Sequence, residues 1–578
     1  MTTKYFKNTL AAFVVGCGLL ATTACSDSYM EEVNTDDSKA SYIEPSAQFT
    51  TALLQTYGDF GLMDTYRSYI TGFTQHFAGG WNVSNYAGAV HAQDDQMRLV
   101  WDQFYSVAIK NMVDAIANSE DKPNTNAALR IHRVYLMSVL TDIYGDIPCT
   151  EAGQGFVKGI SNPKYETQEE IYNFFFDELA ACVAQLGTGN DRIGGDVTSM
   201  SGDVDAWKRY ANSLRLRYAM RISDVNPTKA QAEFEKALAA DGGYIQSAAD
   251  DAYIIYTDGP FTLYDGSRDL DFRVNALGEI LYGQDPSSPT FVCSTFFDIM
   301  KNSNDPRLYR ICRHYINTKR AETKPDREWN VDVTEEVIAY LNKTGEATAC
   351  VPGAAWWSDW VNAPGNSEIP TLEKLVNAYP EVGFDQNNFN ARMLRPFLSI
   401  DFEMPDRPGT LINYAEVEFL LAEAKDKNWN VPGTVKEHFD NGVKASLEWL
   451  NTHYLQAENK ISATEIETFV TSQAAALAAN AKEAINTQAW ILHMMNPVEA
   501  WANLRRSDYP VLTDRTTLPV RSDFPTDDDN LQTPTRLRYP ILENQYNSAN
   551  YQEALSRMGG KDDWHKRLWW DLHDINVK

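Results

Sequence analysis

The sequence predicts a mainly α protein, a superhelix of tetratricopeptide-like helix pairs interrupted by one long loop-rich portion, with minor β structure. Three observations carry this. Apolar residues recur at helical spacing in paired stripes over about 46–250 and again over about 411–578. Small residues such as Ala211 and Ala415 stand where neighbouring helices must approach. Between about 251 and 410 the periodicity dissolves, and Gly, Pro, Asp and Asn become dense while aromatic residues persist. A loop-rich stretch of that length inside a helical protein needs a task, because its aromatics need packing or a partner.

The N-terminus reads first. Residues 1–24 hold Lys4 and Lys7 and no acidic residue, and Thr9 to Ala24 is apolar or small. This is the charged and apolar part of an export signal, shorter than the roughly 20 apolar residues of a spanning helix. Thr22-Thr23-Ala24 before Cys25 resembles the lipobox of bacterial lipoproteins, with Thr22 where Leu or Val is usual. Val14-Val15-Gly16 before Cys17 fits the same letters, but cleavage there would leave only about seven apolar residues. We expect the lipid anchor at Cys25, with Cys17 the alternative and an ordinary signal peptide the plainer reading. Two or more acyl chains, each CH₂ contributing about 0.8 kcal/mol, hold a domain stably at a bilayer. Residues 25–45, with Ser26-Asp27-Ser28, Glu31-Glu32 and Asp36-Asp37, form an acidic tether. Ser and Asp behind the cysteine resemble a surface-export signal of some diderm lipoproteins. A single globular domain is expected over 46–578.

Helices follow in order. Trp101, Phe104, Tyr105, Ala108, Ile109, Met112, Val113 and Ile116 form one stripe. Pro123 breaks it, and Ala128, Ile131, Val134, Tyr135 and Val139 form the next, stopping at Gly145 and Pro148. Thr167 and Glu170 make a capping box that opens a helix through Ile171, Phe175, Leu179 and Cys182. Trp207, Tyr210, Ala211, Leu214, Tyr218 and Ile222 follow, with Arg215, Arg217 and Arg221 on the other side. Pro227 fits near the start of a helix ending around Gly242-Gly243, and Tyr414 to Ala424 and Val435 to Leu450 form a late pair. In the loop-rich portion, Ala252 to Tyr256 alternates like a strand.

Composition excludes several classes. The chain has 79 acidic against 51 basic residues, and loss of the two signal lysines takes the net charge to about −30. Such a surface repels nucleic acid, so no nucleic-acid partner is expected. No second apolar run reaches spanning length. Cys149, Cys182, Cys293, Cys312 and Cys350 form an odd set without a C-x-x-C pair. They read as buried thiols, with one long-range disulfide left open, rather than as a zinc site or disulfide framework. There is no H-E-x-x-H, G-x-S-x-G, P-loop or dinucleotide fingerprint. No catalytic residue, metal or cofactor is expected. Asp527-Asp528-Asp529 reads as a solvated loop.

Eight phrases recur in a telling order: DIYGDIP from Asp142, WKRYANSLRLR from Trp207, NDPRL from Asn304, YAEVEFLLAEA from Tyr414, EAW from Glu499, RRSDYP from Arg505, RLRYP from Arg536 and WWD from Trp569. With the lipobox, they resemble the SusD/RagB family of outer-membrane nutrient-binding lipoproteins, in its SusD-like branch. The resemblance implies a lipid-anchored, cell-surface-exposed protein of the outer membrane. It would capture oligosaccharides or polysaccharide, or in some members peptides, as a lid over a SusC-like TonB-dependent transporter. The loop-rich portion then becomes the ligand-binding portion. The phrases themselves read as scaffold, with arginines of the Trp207 helix pairing with nearby acids.

Sugar capture without catalysis uses flat aromatic faces against the C–H face of a pyranose, with polar groups fixing the hydroxyls. Loop context selects the candidates. Trp81 follows Gly79-Gly80, with Asn82, Asn85 and Tyr86 beside it, and falls where family members place a stacking Trp. Trp356 and Trp357 precede Asp359, and adjacent residues in extended chain face opposite ways. Trp329 and Tyr264 complete the aromatic set, and Arg67 the polar one. Packing is the plainer reading of each. A peptide site on the same scaffold, a structural helical-repeat adaptor and a glycosidase with paired carboxylates are the alternatives.

Overall fold

The computed structural model describes residues 42–79, 92–257, 272–282, 290–313, 315–317, 330–332, 397–514 and 532–576. Contacts divide the chain into Met1–Glu44 and Pro45–Lys578. The second unit is mainly helical, and ten of its helices carry the argument: α1 (Pro45–Gly58), α2 (Lys110–Ala117), α3 (Pro123–Tyr144), α4 (Gln168–Gln185), α5 (Val204–Arg221), α6 (Pro227–Leu238), α7 (Tyr414–Asp426), α8 (Val435–His453), α9 (Ala481–Leu492) and α10 (Pro497–Ser507). Each of α1 to α5 packs on the next; α5 also packs on α7, α7 on α8 and α9, and α9 on α10, which returns against α3. This is the expected superhelix of helix pairs.

Local chemistry sets the boundaries. Thr167 and Glu170 form the capping box at α4, and Thr434 with Glu437 repeats it at α8. Pro123 and Pro227 occupy the first turns of α3 and α6, where a missing N–H costs nothing. Gly242 lies just beyond α6 at φ 78°, and a Cβ there would come within 2.5 Å of the Lys208 side chain. The Trp101 stripe passes through a π-helical turn at Phe104–Ile109, and a second such turn spans Tyr66–Ile70.

The helices meet over a buried ionic lattice. Arg217 of α5 is 3% exposed and grips Glu416 of α7 through two hydrogen bonds, Nε to Oε1 at 2.6 Å and a terminal nitrogen to Oε2 at 2.7 Å. Arg221 bonds Glu499 of α10 at 2.6 Å and faces Asp142 of α3 at 3.4 Å. Arg506 makes a two-point pair with Glu423 at 2.6 and 2.7 Å. Five of the signature phrases therefore supply this lattice, and the arginines opposite the Trp207 stripe are buried with acids.

Eight short strands lie among the described residues: β1 (Phe77–Gly79), β2 (Ala252–Ile254), β3 (Thr290–Val292), β4 (Cys312–Arg313), β5 (Tyr315–Asn317), β6 (Asn330–Asp332), β7 (Phe397–Leu398) and β8 (Gly409–Ile412). They form antiparallel pairs, β1 with β3, β2 with β8, β4 with β7 and β5 with β6. The loop-rich portion also holds the helix Ser294–Asn302. Cys149, Cys182 and Cys312 are free buried thiols, while Cys350 lies outside the described residues. No helix of the described residues is long and apolar enough to cross a membrane.

Candidate ligand-binding site

The strands β1 and β3 pair Phe77 with Val292 and Gly79 with Thr290, so segment 80–91 leaves where segment 283–289 arrives. What precedes β1 is a clamp. Gln75 is buried with φ 56°, a left-handed backbone that few side chains adopt. Its amide bonds both backbone groups of Thr513, accepting from N at 3.0 Å and donating to O at 2.8 Å, and also accepts from the Thr295 hydroxyl at 2.7 Å. One side chain thus fixes the roots of 80–91 and of 515–531 together.

His76 completes the wall. Its ring stacks on Trp490 at 4.3 Å, Nε2 meets the Trp490 carbonyl at 3.0 Å, and Nδ1 meets the Thr74 hydroxyl at 3.0 Å. Burial pushes its pKa down to about 3, so the imidazole is neutral, donating from Nε2 and accepting at Nδ1. On the return side, the Gln93 N–H donates to the Tyr69 hydroxyl at 2.9 Å.

Strand β3 packs against β7, which pairs with β4. The signature Asn304-Asp305-Pro306-Arg307-Leu308 leads into β4 and holds it to the helices. Arg307 is 1% exposed, bonds Asp305 at 2.6 Å, and reaches Ser446 of α8 at 2.8 Å and Gln488 of α9 at 2.6 Å. Sequence reading recognised the phrase without its role; an Arg two residues after an Asp across Pro306 was the available signal. The next pair, β5 with β6, brackets 318–329, and 333–396 runs from β6 to β7.

Of the residues singled out from sequence, Arg67 is described. It sits in the π-helical turn Tyr66–Ile70, 4% exposed and ion-paired with Asp64. Burial raises the Asp64 carboxyl against the pull of Arg67. Trp81, Asn82, Asn85, Tyr86, Tyr264, Trp329, Trp356, Trp357, Asp359 and Cys25 lie outside the described residues. Trp81, Asn82, Asn85 and Tyr86 belong to the segment rooted at β1, Trp329 to the one bracketed by β5 and β6, and Trp356, Trp357 and Asp359 to the one that ends at β7. The patch therefore has a buried base of neutral and ion-paired side chains, next to the points where the aromatic-bearing segments leave the described strands. Among the described residues no group of His, Cys, Asp and Glu could hold a metal ion.

Comparison with known proteins agrees with this architecture. The model of the SusD-like family described as "Starch-binding associating with outer membrane" matches residues 37–327 and 376–540. A Bacteroidetes SusD-like protein, AC2a, is 37% identical over 92% of this chain and 100% of its own, with a TM-score of 0.80. A chitin-binding protein is 28% identical over 92% of this chain and 100% of its own, with a TM-score of 0.70. A chitin-binding SusD homolog from Flavobacterium johnsoniae shares the fold at 21% identity and TM-score 0.63, over 92% of this chain and 100% of its own. No curated protein matches the chain. With the family model matching both halves and a relative 37% identical along its length, the chain belongs to the SusD-like family, described as starch-binding and associating with the outer membrane.

Proposed function

We propose that the protein is a surface lipoprotein, anchored through Cys25, that captures oligosaccharides or polysaccharide and delivers them uncleaved to a SusC-like TonB-dependent transporter. The observation that carries this reading is the clamped strand patch, because the segments bearing Trp81, Tyr86, Trp356 and Trp357 are rooted on it. Stacking belongs to those rings together with Trp329 and Tyr264, and hydroxyl recognition to Asn82, Asn85 and Asp359. Arg67, buried and held by Asp64, serves the polar set from the Tyr66–Ile70 turn. A relative named chitin-binding puts N-acetylglucosamine polymers first among the ligands to try. Peptide capture is the alternative.

The test is binding of the protein from Ser26 onward to a panel of polysaccharides and oligosaccharides, by affinity electrophoresis and calorimetry. A ligand lost in Trp81→Ala or in Trp356→Ala/Trp357→Ala, with unfolding unchanged, supports the reading. Silence across the panel, together with binding of peptides, overturns it. Copurification with a TonB-dependent transporter, and its loss from membranes in Cys25→Ala, tests partner and anchor.

A further inference from the structure

A second cavity, of about 280 Å³, opens on the α7–α8 pair, where Asp251 and the first turn of α7 meet the last two turns of α8. It is built by the β2–β8 end of the domain and shares no residue with the clamp around β1.

Asp251 is its distinctive member. The side chain is 6% exposed, and one carboxylate oxygen accepts the Tyr414 N–H at 2.6 Å. The other oxygen receives no hydrogen bond from a described residue, yet it is not among the sealed, unsatisfied atoms of the interior. Asp251 lines the cavity. No lysine or arginine lines the space, and Glu448 adds a second carboxylate at its exposed side. The neighbouring Asp250 has its own cation, pairing with Arg209 at 2.9 Å.

Tyr414, Trp449 and His453 bring aromatic rings to the lining, beside Asn413, Asn451 and Thr452. Trp449 packs on His453 at 3.9 Å between ring centres, and Tyr253 meets both edge-on at 5.7 and 4.9 Å. Burial, reinforced by Arg407, lowers the His453 pKa to about 4, so this ring brings no cation to Asp251 at neutral pH. An apolar wall beside a buried acid without a counter-charge fits a ligand that combines a ring-sized body with a positive group.

We infer that this cavity is a second binding site, taking a single amino-sugar residue whose protonated amine pairs with Asp251. The volume has room for one pyranose ring, and the two carboxylates select against uronic acids and sulfated sugars. Burial and the neighbouring Asp250 push the Asp251 carboxyl up to about 7 against the Tyr414 N–H, as expected for an acid whose cation arrives with the ligand. The inference rests on the glycan reading only in placing the amine on a sugar.

Calorimetry and ligand-observed NMR of the protein from Ser26 onward, with glucosamine, N-acetylglucosamine, glucose, glucuronate and lysine amide, test it. Glucosamine is expected to bind best, with affinity reduced at least about tenfold in Asp251→Asn, where a charge-assisted hydrogen bond is lost. Asn keeps an oxygen for the Tyr414 N–H. Thr452→Trp, at an exposed position lining the cavity, is expected to abolish binding by filling it, and decides alone if Asp251→Asn does not fold. Glucose or lysine amide binding as tightly as glucosamine, or glucosamine binding unchanged in Thr452→Trp, overturns the assignment. Glucosamine binding is expected to persist in Trp81→Ala and in Trp356→Ala/Trp357→Ala. Failure of polymer capture and failure of this site are therefore read separately.

Discussion

Replacing Arg217 with Met keeps most of the side-chain volume and removes only the charge and its donors. The structure then leaves Glu416, 3% exposed, with His493 at 3.1 Å as its remaining side-chain partner, and strands the Leu411 carbonyl that Arg217 bonded at 2.6 Å. Glu499, 3.5 Å from Arg217, keeps Arg221. Breaking a buried pair by removing one partner costs about 3–5 kcal/mol, because the surviving charge stays desolvated. Chemical unfolding followed by tryptophan fluorescence reads the loss. The pH dependence carries a sign that a mere packing defect lacks. Burial alone would raise the Glu416 carboxyl, but Arg217 and His493 hold it below its ordinary value of 4.5. A carboxylate depressed in the fold contributes stability above its unfolded pKa, lost as pH falls through the folded one. The gap between parent and Arg217→Met is thus widest near neutrality and narrows below pH 4.5. Adding Glu416→Gln is expected to recover at least about 1 kcal/mol relative to the sum of the single losses. A loss under about 1 kcal/mol, or a gap that does not change with pH, would refute this account of the lattice.

Four further outcomes follow from the same reasoning. Gln75→Ala leaves the Thr513 N–H and the Thr295 hydroxyl without their acceptor, and is expected to cost about 1–3 kcal/mol in unfolding, with faster hydrogen exchange at Thr513. Thr167→Ala removes the α4 cap and is expected to cost about 0.5–2 kcal/mol. Among the described residues neither buried carboxylate oxygen of Asp571 has a hydrogen-bond partner, and burial, opposed by Arg505, pushes its pKa up to about 7. An acid raised in the fold lowers stability as pH rises from its unfolded to its folded pKa, so Asp571→Asn is expected to exceed the parent at pH 8 and converge with it near pH 4. Burial pushes the Cys182 thiol up to about 12, so iodoacetamide is expected to leave it unmodified until the protein unfolds, as read by mass spectrometry.

The helices legible in the sequence are those with one wet face or a marked end. Thr167, Pro123 and Pro227 each stand at the terminus their chemistry requires, and α3 to α8 fall where the stripes place them. Around Tyr66–Ile70 all five residues are buried, so no stripe exists to read. The helix Ser294–Asn302 was hidden for a different reason, being a short element among loops. Arg215, Arg217 and Arg221 illustrate a limit of pattern reading. Their charge placed them opposite the apolar stripe, yet all three are buried, Arg215 beside Glu233 and the other two with acids far off in sequence. The binding candidates were chosen for loop context, and of these Arg67 is buried and ion-paired with Asp64, three residues earlier. Gln75 escaped notice altogether, since nothing in an ordinary glutamine announces a left-handed backbone.

The ionic lattice also dictates an order of assembly. Arg217 waits 199 residues for Glu416, and Arg221 waits 278 residues for Glu499. A chain emerging N-terminus first therefore presents α5 long before its counter-ions exist, and closing such distant pairs is slow. Of the acids that Arg217 and Arg221 meet, only Asp142 belongs to the first half, so the shortest pair of each arginine waits for the second. Final burial of α5 therefore waits until the C-terminal helices have arrived.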